Sequence, residues 1–210
     1  MTKNIIITGG LGYIGTELCK IYSGVSWNNK ITVIDNRFIS ERVNQLRNWN
    51  INFVHGDILD KKLIQNYLKD ADIVHHLAGI TDVPRIKSEA SEEKNTKIKL
   101  VAEDGTINIL NAINDKCKII LPSTHVVYEG IEKVKNNILE DEETKPVLSY
   151  AVSKDINEKQ LKESGKNYII LRLGSVSGYS TDTARIDIMP NLFSKIASQN
   201  GTLKLFAAGK

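Results

Sequence analysis

The sequence predicts an α/β protein with a doubly wound parallel sheet, on three observations. Short runs of β-branched residues alternate with segments whose apolar residues recur at helical spacing. Each run ends at a glycine or a polar residue and leads into a helix, which is the pattern of βαβ units. The length of 210 residues and the 41% of hydrophobic residues suffice for a sizeable core. Right-handed crossovers would then place helices on both faces of the sheet.

The order of the elements follows from these runs. The first half is expected to hold strands at 4–8, 31–34, 51–55 and 73–77, separated by helices at 13–23, 41–49 and 61–69. A long amphipathic helix ending near residue 114 comes next, and its predicted apolar stripe consists of Leu100, Val101, Ile107, Leu110 and Ile113. The remaining elements are expected to be a strand at 118–121, a helix at 150–164 ended by Gly165, a strand at 168–173, a helix at 188–198 and a short strand at 203–206.

Composition excludes several classes of protein. The net charge of +3 is spread along the chain, so no nucleic-acid surface is expected. Cys19 and Cys117 lie in apolar periodic segments and are expected to be buried, reduced thiols, which suits a cytoplasmic protein. Neither a leader pattern nor an apolar run of the roughly 20 residues that span a bilayer is evident, so we expect no membrane partner.

A glycine-rich turn organises the first βαβ unit. Residues 5–15 read I-I-I-T-G-G-L-G-Y-I-G, which is a strand, a turn and the start of a helix. Gly9, Gly12 and Gly15 permit positive φ and a close approach of phosphate to the backbone. The helix start adds N–H groups and the positive end of its dipole. The stretch therefore predicts a pyrophosphate site.

An acidic residue predicts that this site binds a dinucleotide. Asp35 follows the second strand, 20 residues after Gly15, where a carboxylate can bind the ribose diol. A carboxylate there repels a 2′-phosphate, which favours NAD. Arg37 could instead bind that phosphate, so NADP is the less favoured alternative.

Other residues at the strand ends complete the predicted pocket. Asp57 could accept from the adenine amino group or cap the following helix, and the sequence leaves both open. Ala78 and Gly79 are small and leave room for the middle of the cofactor. His76 is predicted to be a packed histidine, and neither the four His nor the two Cys show the spacing of a metal site.

A tyrosine and a lysine suggest proton transfer. Tyr150 and Lys154 are four residues apart at the start of a helix and therefore share one face. A neighbouring ammonium favours the tyrosine phenolate, whose ordinary pKa near ~10 is too high for a base. Thr124 ends the fifth strand at the same edge of the sheet and would share the proton of a substrate hydroxyl with Tyr150.

These motifs together resemble the extended short-chain dehydrogenase/reductase family, and within it the NAD-dependent nucleotide-sugar epimerases and dehydratases. In chain order they are T-G-G-L-G-Y-I-G at 8–15, Asp35, G-D-I at 56–58, H-L-A-G at 76–79, S-T-x-x-V-Y at 123–128 and Y-x-x-x-K at 150–154.

The resemblance implies a Rossmann fold, NAD and a nucleotide-sugar substrate. It implies Thr124, Tyr150 and Lys154 as catalytic residues, with Thr124 and Ser175 on the substrate. The cofactor would be held by Gly9, Gly12, Tyr13, Ile14, Gly15, Asp35, Asn36, Asp57, Ile58, Leu77, Ala78, Gly79 and Lys154. Residues 1–180 would form the NAD-binding domain and 181–210 the start of a truncated substrate lobe. A homodimer would form through helices 97–114 and 150–164.

Departures from the family pattern narrow the function. His125 and Val126 stand where 4,6-dehydratases have Asp-Glu, which disfavours dehydration; His125 could be a second acid or base, or a surface or packed histidine. Ser175 replaces an asparagine that contacts the sugar nucleotide. Ala102 replaces another asparagine, so a buried polar contact is expected to be missing.

The favoured hypothesis is an NAD-dependent nucleotide-sugar epimerase similar to UDP-glucose 4-epimerase. The alternative is an NAD(P)-dependent keto-sugar reductase or sugar dehydrogenase, which would use the same residues. A non-catalytic dinucleotide-binding regulator is disfavoured because the tyrosine and the lysine are both present.

Overall fold

A six-stranded parallel sheet with the strand order β3-β2-β1-β4-β5-β6 forms the centre of the molecule. The computed structural model describes residues 2–25, 28–81, 91–180, 185–186 and 188–204. The strands are β1 (Asn4–Thr8), β2 (Lys30–Asp35), β3 (Asn52–His55), β4 (Ile73–His76), β5 (Lys118–Thr124) and β6 (Asn167–Leu173). The helices are α1 (Tyr13–Ser23), α2 (Ser40–Asn48), α3 (Lys61–Leu68), α4 (Glu92–Ala112), α5 (Ser149–Glu163) and α6 (Met189–Ser198), and a short 3₁₀ turn covers His125–Tyr128.

Two apolar cores cover the two faces of the sheet, which confirms the doubly wound prediction. Successive strand side chains point to opposite faces, so Ile6 packs on one face while Ile5 and Ile7 pack on the other. The core that contains Ile6 is completed by residues of α3, α4 and α5, and the opposite core by residues of α1 and α2. Both predicted thiols, Cys19 and Cys117, are free and buried in these cores.

The structure shows how two helices begin or end near residues that the sequence singled out. Asp60, not Asp57, caps α3, because its carboxylate accepts the N–H groups of Lys62 and Leu63, both at 3.0 Å. Gly165 follows α5 with a φ of +68°, as expected of a residue that ends a helix.

The apolar stripe predicted for α4 is only partly correct. Leu110 and Ile113 are buried, whereas Leu100 and Ile107 are exposed. The inner face instead includes Ile98 and Ile109, together with small and polar residues that pack against α3 and α5. Because α4 lies between two other helices, its contact face is not a single narrow stripe.

The chain divides into two compact units, Met1–Gly174 and Ser175–Lys210. The first contains the whole sheet, and the second contains α6. The predicted strand at 203–206 is not seen at Leu203 and Lys204, and its last two positions lie outside the described residues. None of the described helices is long and apolar enough to cross a membrane.

Candidate functional site

A cleft of about 640 Å³ opens at the carboxyl ends of β1, β2, β3 and β4. Ligands bind at this edge in open α/β sheets, where the strand order reverses. Eight residues predicted to hold a cofactor line the cleft: Gly9, Asp35, Asn36, Asp57, Ile58, Leu77, Ala78 and Gly79. The cleft therefore gathers residues from four separate strand ends.

The glycine turn is packed so closely that side chains would not fit. Gly9 has a φ of +70°, and a Cβ there would lie 2.7 Å from the Ala78 nitrogen. A Cβ on Gly15 would lie 2.6 Å from the Gly10 Cα, so the start of α1 is pressed against the turn. Gly12 is the N-cap of α1 and offers no side chain to its first N–H groups. Gly12, Tyr13, Ile14 and Gly15 thus form the turn and first helical residues beside the cleft.

Asp35 is buried against the turn and already accepts several hydrogen bonds. Its Oδ2 accepts from the Leu11 N–H at 3.0 Å, and its Oδ1 accepts from the Arg37 N–H at 3.0 Å. The Arg37 guanidinium forms an ion pair with the same carboxylate, with Nε 3.1 Å from Oδ1. The side chain of Arg37 is half exposed. Both residues that bear on the choice between NAD and NADP therefore meet at this point of the cleft.

Asp57 belongs to the cleft rather than to a helix cap. Its Oδ1 accepts from the Leu59 N–H at 2.9 Å, and its Oδ2 accepts from the Asn36 side chain at 2.9 Å. Ile58 is buried, and its carbonyl accepts from the Asn108 side chain of α4 at 3.0 Å. These contacts hold the loop after β3 in place while Asp57 lines the cleft.

A buried polar network lies below the cleft and confirms His76 as a packed histidine. The two ring nitrogens of His76 bond the hydroxyls of Thr8 and Thr106, at 3.1 and 2.9 Å. Asn157 of α5 donates to the Thr106 hydroxyl at 2.9 Å and to the Ala102 carbonyl at 2.8 Å. Burial, assisted by the charge of Lys154, lowers the pKa of His76 to about 3. At Ala102, where a polar contact was expected to be missing, Asn157 bonds to the backbone instead.

The predicted proton-transfer residues lie where α5 begins and β5 ends. Lys154 is buried, and its Nζ lies 3.9 Å from the position of a Cβ on Gly79, at the margin of the cleft. Tyr150 is half-buried one helical turn before it, and Thr124 is the buried last residue of β5. Burial lowers the pKa of Lys154 to about 8.

The amino-terminal end of α5 is held in place by a carboxylate. Glu129 Oε1 accepts from the N–H groups of Val147 and Leu148, at 2.7 and 2.5 Å. The Ser149 hydroxyl, in turn, donates to the Asn95 side chain of α4 at 2.8 Å. Since Tyr150 follows directly, these contacts fix the point from which its side chain leaves the helix.

His125, which could be a second acid or base, and Ser175, which the resemblance places on the substrate, are both exposed. His125 follows Thr124, and its Nδ1 donates to the Leu173 carbonyl at 3.1 Å. Ser175 is the first residue of the second unit. Their roles stay predictions.

The cleft also contains residues that sequence reasoning missed. Lys97, Leu100 and Val101 of α4 line it opposite the strand ends. Helical periodicity treats such positions as either core or solvent face, so no sequence signal singles them out. Among the described residues there is no cluster of three His, Cys, Asp or Glu side chains that could hold a metal ion.

Comparison with known proteins places these features in a family. The pattern of the NAD dependent epimerase/dehydratase family matches residues 5–210. The UDP-N-acetyl-alpha-D-glucosaminuronate decarboxylase of Bacillus cytotoxicus is 33% identical over 130 residues, which is 61% of this chain and 38% of that protein. The UDP-glucose 4-epimerase of Mycoplasma genitalium is 27% identical over 189 residues, which is 83% of this chain and 53% of that protein.

A solved structure shares both fold and moderate identity. The UDP-glucose 4-epimerase of Brucella ovis, crystallised in complex with NAD, superposes with a TM-score of 0.68 at 27% identity. The match covers 89% of this chain and 55% of that one. The chain thus spans about half the length, or less, of these relatives. With the family pattern matched almost throughout, the chain belongs to the NAD dependent epimerase/dehydratase family.

Proposed function

We propose that this chain is the cofactor-binding part of an NAD-dependent nucleotide-sugar epimerase similar to UDP-glucose 4-epimerase. The observation that carries the proposal is the buried Lys154, one turn after Tyr150, at the margin of a cleft built on the glycine turn. The family and the named relatives, which include UDP-glucose 4-epimerases, support it.

The cleft fits a dinucleotide. The turn around Gly9 leaves no room for a side chain and would cradle the pyrophosphate. Asp35 would bind the adenosine ribose if Arg37 gives up part of its contact, and Asp57 would meet the adenine. NAD, when bound, would supply a reversible hydride acceptor, so that a sugar carbon can be oxidised and then reduced on its other face.

The residues of the chain would move the proton. Tyr150, as phenolate, would take the proton of the sugar hydroxyl, and Thr124 would donate a hydrogen bond to the same oxygen. The ammonium of Lys154 stabilises the phenolate, because a positive charge nearby favours the charged form of tyrosine. The same ammonium would bond the nicotinamide ribose. On the return step, Tyr150 would give the proton back.

Turnover of a panel of UDP-, GDP-, dTDP- and CDP-sugars by the purified full-length protein tests this function. We expect an epimeric product without net NADH. Tyr150→Phe should lower kcat by about 100-fold or more while nucleotide binding is kept, and Tyr67→Phe, at an exposed position of α3, is the matched control. Stoichiometric NADH would show a dehydrogenase instead, and no turnover of any sugar would overturn the proposal.

We also propose a cytoplasmic homodimer assembled through α4 and α5. The two helices pack on each other, and they carry Ile107 and Val152 exposed on the outside. A second copy would cover these apolar side chains. Sedimentation of the protein and of an Ile107→Asp, Val152→Asp double variant should show a dimer and a monomer, respectively; a monomeric parent protein would refute the assembly.

A further inference from the structure

A buried carboxylate joins α5 to the ends of two strands. Glu158, only 1% exposed, lies one helical turn after Lys154. The Ser123 hydroxyl of β5 donates to its Oε1 at 2.5 Å. Arg172 of β6 donates from Nε to Oε1 at 3.0 Å and from Nη2 to Oε2 at 2.6 Å. The carboxylate is therefore fixed by both of its oxygens.

Arg172 is itself held firmly in place. Its guanidinium lies 5.1 Å from the centre of the Tyr128 ring, and its Nη1 donates to the Tyr128 hydroxyl and, at 3.0 Å, to the Glu140 carbonyl. Together with Ser123 and Glu158, it links β5, β6, α5 and the loop after the 3₁₀ turn. Because Ser123 directly precedes Thr124, the network also anchors the last residues of β5.

The Glu158 carboxylate also acts on the ionisation of Lys154. Removal from water disfavours the ammonium of Lys154, whereas the negative charge of Glu158 raises the pKa of that ammonium. His76 faces Lys154 from β4 and is neutral at physiological pH, and Tyr150 precedes it on α5. The Glu158 carboxylate in turn faces Arg172 on β6 and Lys162 on α5, whose Nζ lies 3.5 Å away.

We infer that Glu158 is a positioning residue of the candidate site: it places its negative charge one helical turn from Lys154 on the same face of α5, and it holds Thr124 and α5 in register through Ser123 and Arg172. Lys154 is useful to Tyr150 only while it is charged, and a buried ammonium without a counter-charge tends to lose its proton. The consequence for turnover rests on the proposed function. The effect of Glu158 on the ionisation of Lys154 is independent of the proposed function.

The ionisation of Lys154 can be measured without any turnover. The purified protein, without added nucleotide, is treated with a trace of acetic anhydride across a range of pH, and acetylation of Lys154 is quantified by mass spectrometry. The variants are Glu158→Gln, Arg172→Gln and the double variant. Removal of one partner of a buried ion pair is destabilising, so a single variant can fail to fold. In the double variant the two amides can pair with each other, and its labelling can then be measured instead.

The expected order of the labelling midpoint is Arg172→Gln highest, then the parent protein, then the double variant, then Glu158→Gln. Glu158→Gln should lower the midpoint by about one pH unit, since an opposite charge nearby shifts a pKa by about that much or more. Asp155→Asn is the matched control, because Asp155 is a buried carboxylate on the same helix that pairs with Lys159 and Thr144 instead. That control should leave the midpoint unchanged.

An unchanged midpoint in Glu158→Gln, or an equal shift in Asp155→Asn, would overturn the inference. In the turnover assay, the alkaline limb of the kcat profile should move with the labelling midpoint, a shift that a purely structural role would not produce. If the midpoint moves while even the parent protein turns over no sugar, the proposed function fails and the role of Glu158 stands.

Discussion

The turn at Gly9 allows a quantitative prediction for Gly9→Ala. The backbone has a φ of +70°, at which an L side chain costs about 1–2 kcal/mol. The new Cβ would also lie 2.7 Å from the Ala78 nitrogen and 2.9 Å from the Leu77 carbonyl carbon. Overpacking of this kind costs about 1–3 kcal/mol. Together these effects should lower the free energy of unfolding by about 2–5 kcal/mol.

The relief of this overlap would also alter the cleft. Gly9 and Ala78 both line it, so moving the two backbones apart changes the surface that would meet a dinucleotide. Urea unfolding measures the stability, and the fluorescence of titrated NADH measures binding. We expect both to be impaired in Gly9→Ala.

Gly24→Ala is the matched control in the same βα unit. Gly24 ends α1 with a φ of −83°, and a Cβ there would make only ordinary contacts, the nearest at 3.6 Å. This substitution should be neutral or stabilise the protein by up to about 1 kcal/mol, without effect on NADH binding. Equal losses in the two variants would refute the reasoning, because the strain would then not be specific to the turn.

Three further predictions concern single side chains. Asp60→Ala should lower the free energy of unfolding by about 1 kcal/mol through the lost cap of α3, whereas Asp57→Ala should mainly weaken NADH binding; the reverse pattern would contradict the assignments. Burial raises the pKa of Cys19 to about 12 and that of Cys117 to about 11, so iodoacetamide should alkylate both thiols only after unfolding, as read by mass spectrometry. Burial and Lys154 lower the pKa of His76 to about 3 from its ordinary 6.5, so its contribution to stability is complete above pH 6.5 and lost progressively towards pH 3. Urea unfolding at a series of pH values should show that loss, and His76→Gln should make it smaller.

The periodic features of the chain could be predicted from the sequence. β1 and α1 begin and end at the predicted residues, because β-branched runs and helical spacing are local patterns. β5 extends to Thr124, beyond the predicted end at residue 121, because it continues to pair with β6 through Pro122 and Ser123. Strand ends depend on the neighbouring strand, which local pattern does not include.

The candidate site likewise has features that the sequence could predict and features that only the structure reveals. The glycine turn, Asp35 and the pair Tyr150 and Lys154 could be singled out because each has a characteristic spacing along the chain, and their roles stay predictions. The capping role left open for Asp57 was decided by geometry, since the carboxylate that reaches the first N–H groups of α3 belongs to Asp60.

The sequence by itself thus determined the order of the sheet strands and of the helices between them and the position of the glycine turn, and it offered Thr124, Tyr150 and Lys154 as candidates for proton transfer. Only the tertiary structure decided that Leu100 of α4 lines the cleft and that Glu158, Ser123 and Arg172 form one buried network. The physical reason is the sequence separation over which each effect acts. Propensity and spacing act over a few residues, whereas Ser123 and Glu158 are 35 positions apart and meet only because α5 packs across the ends of β5 and β6.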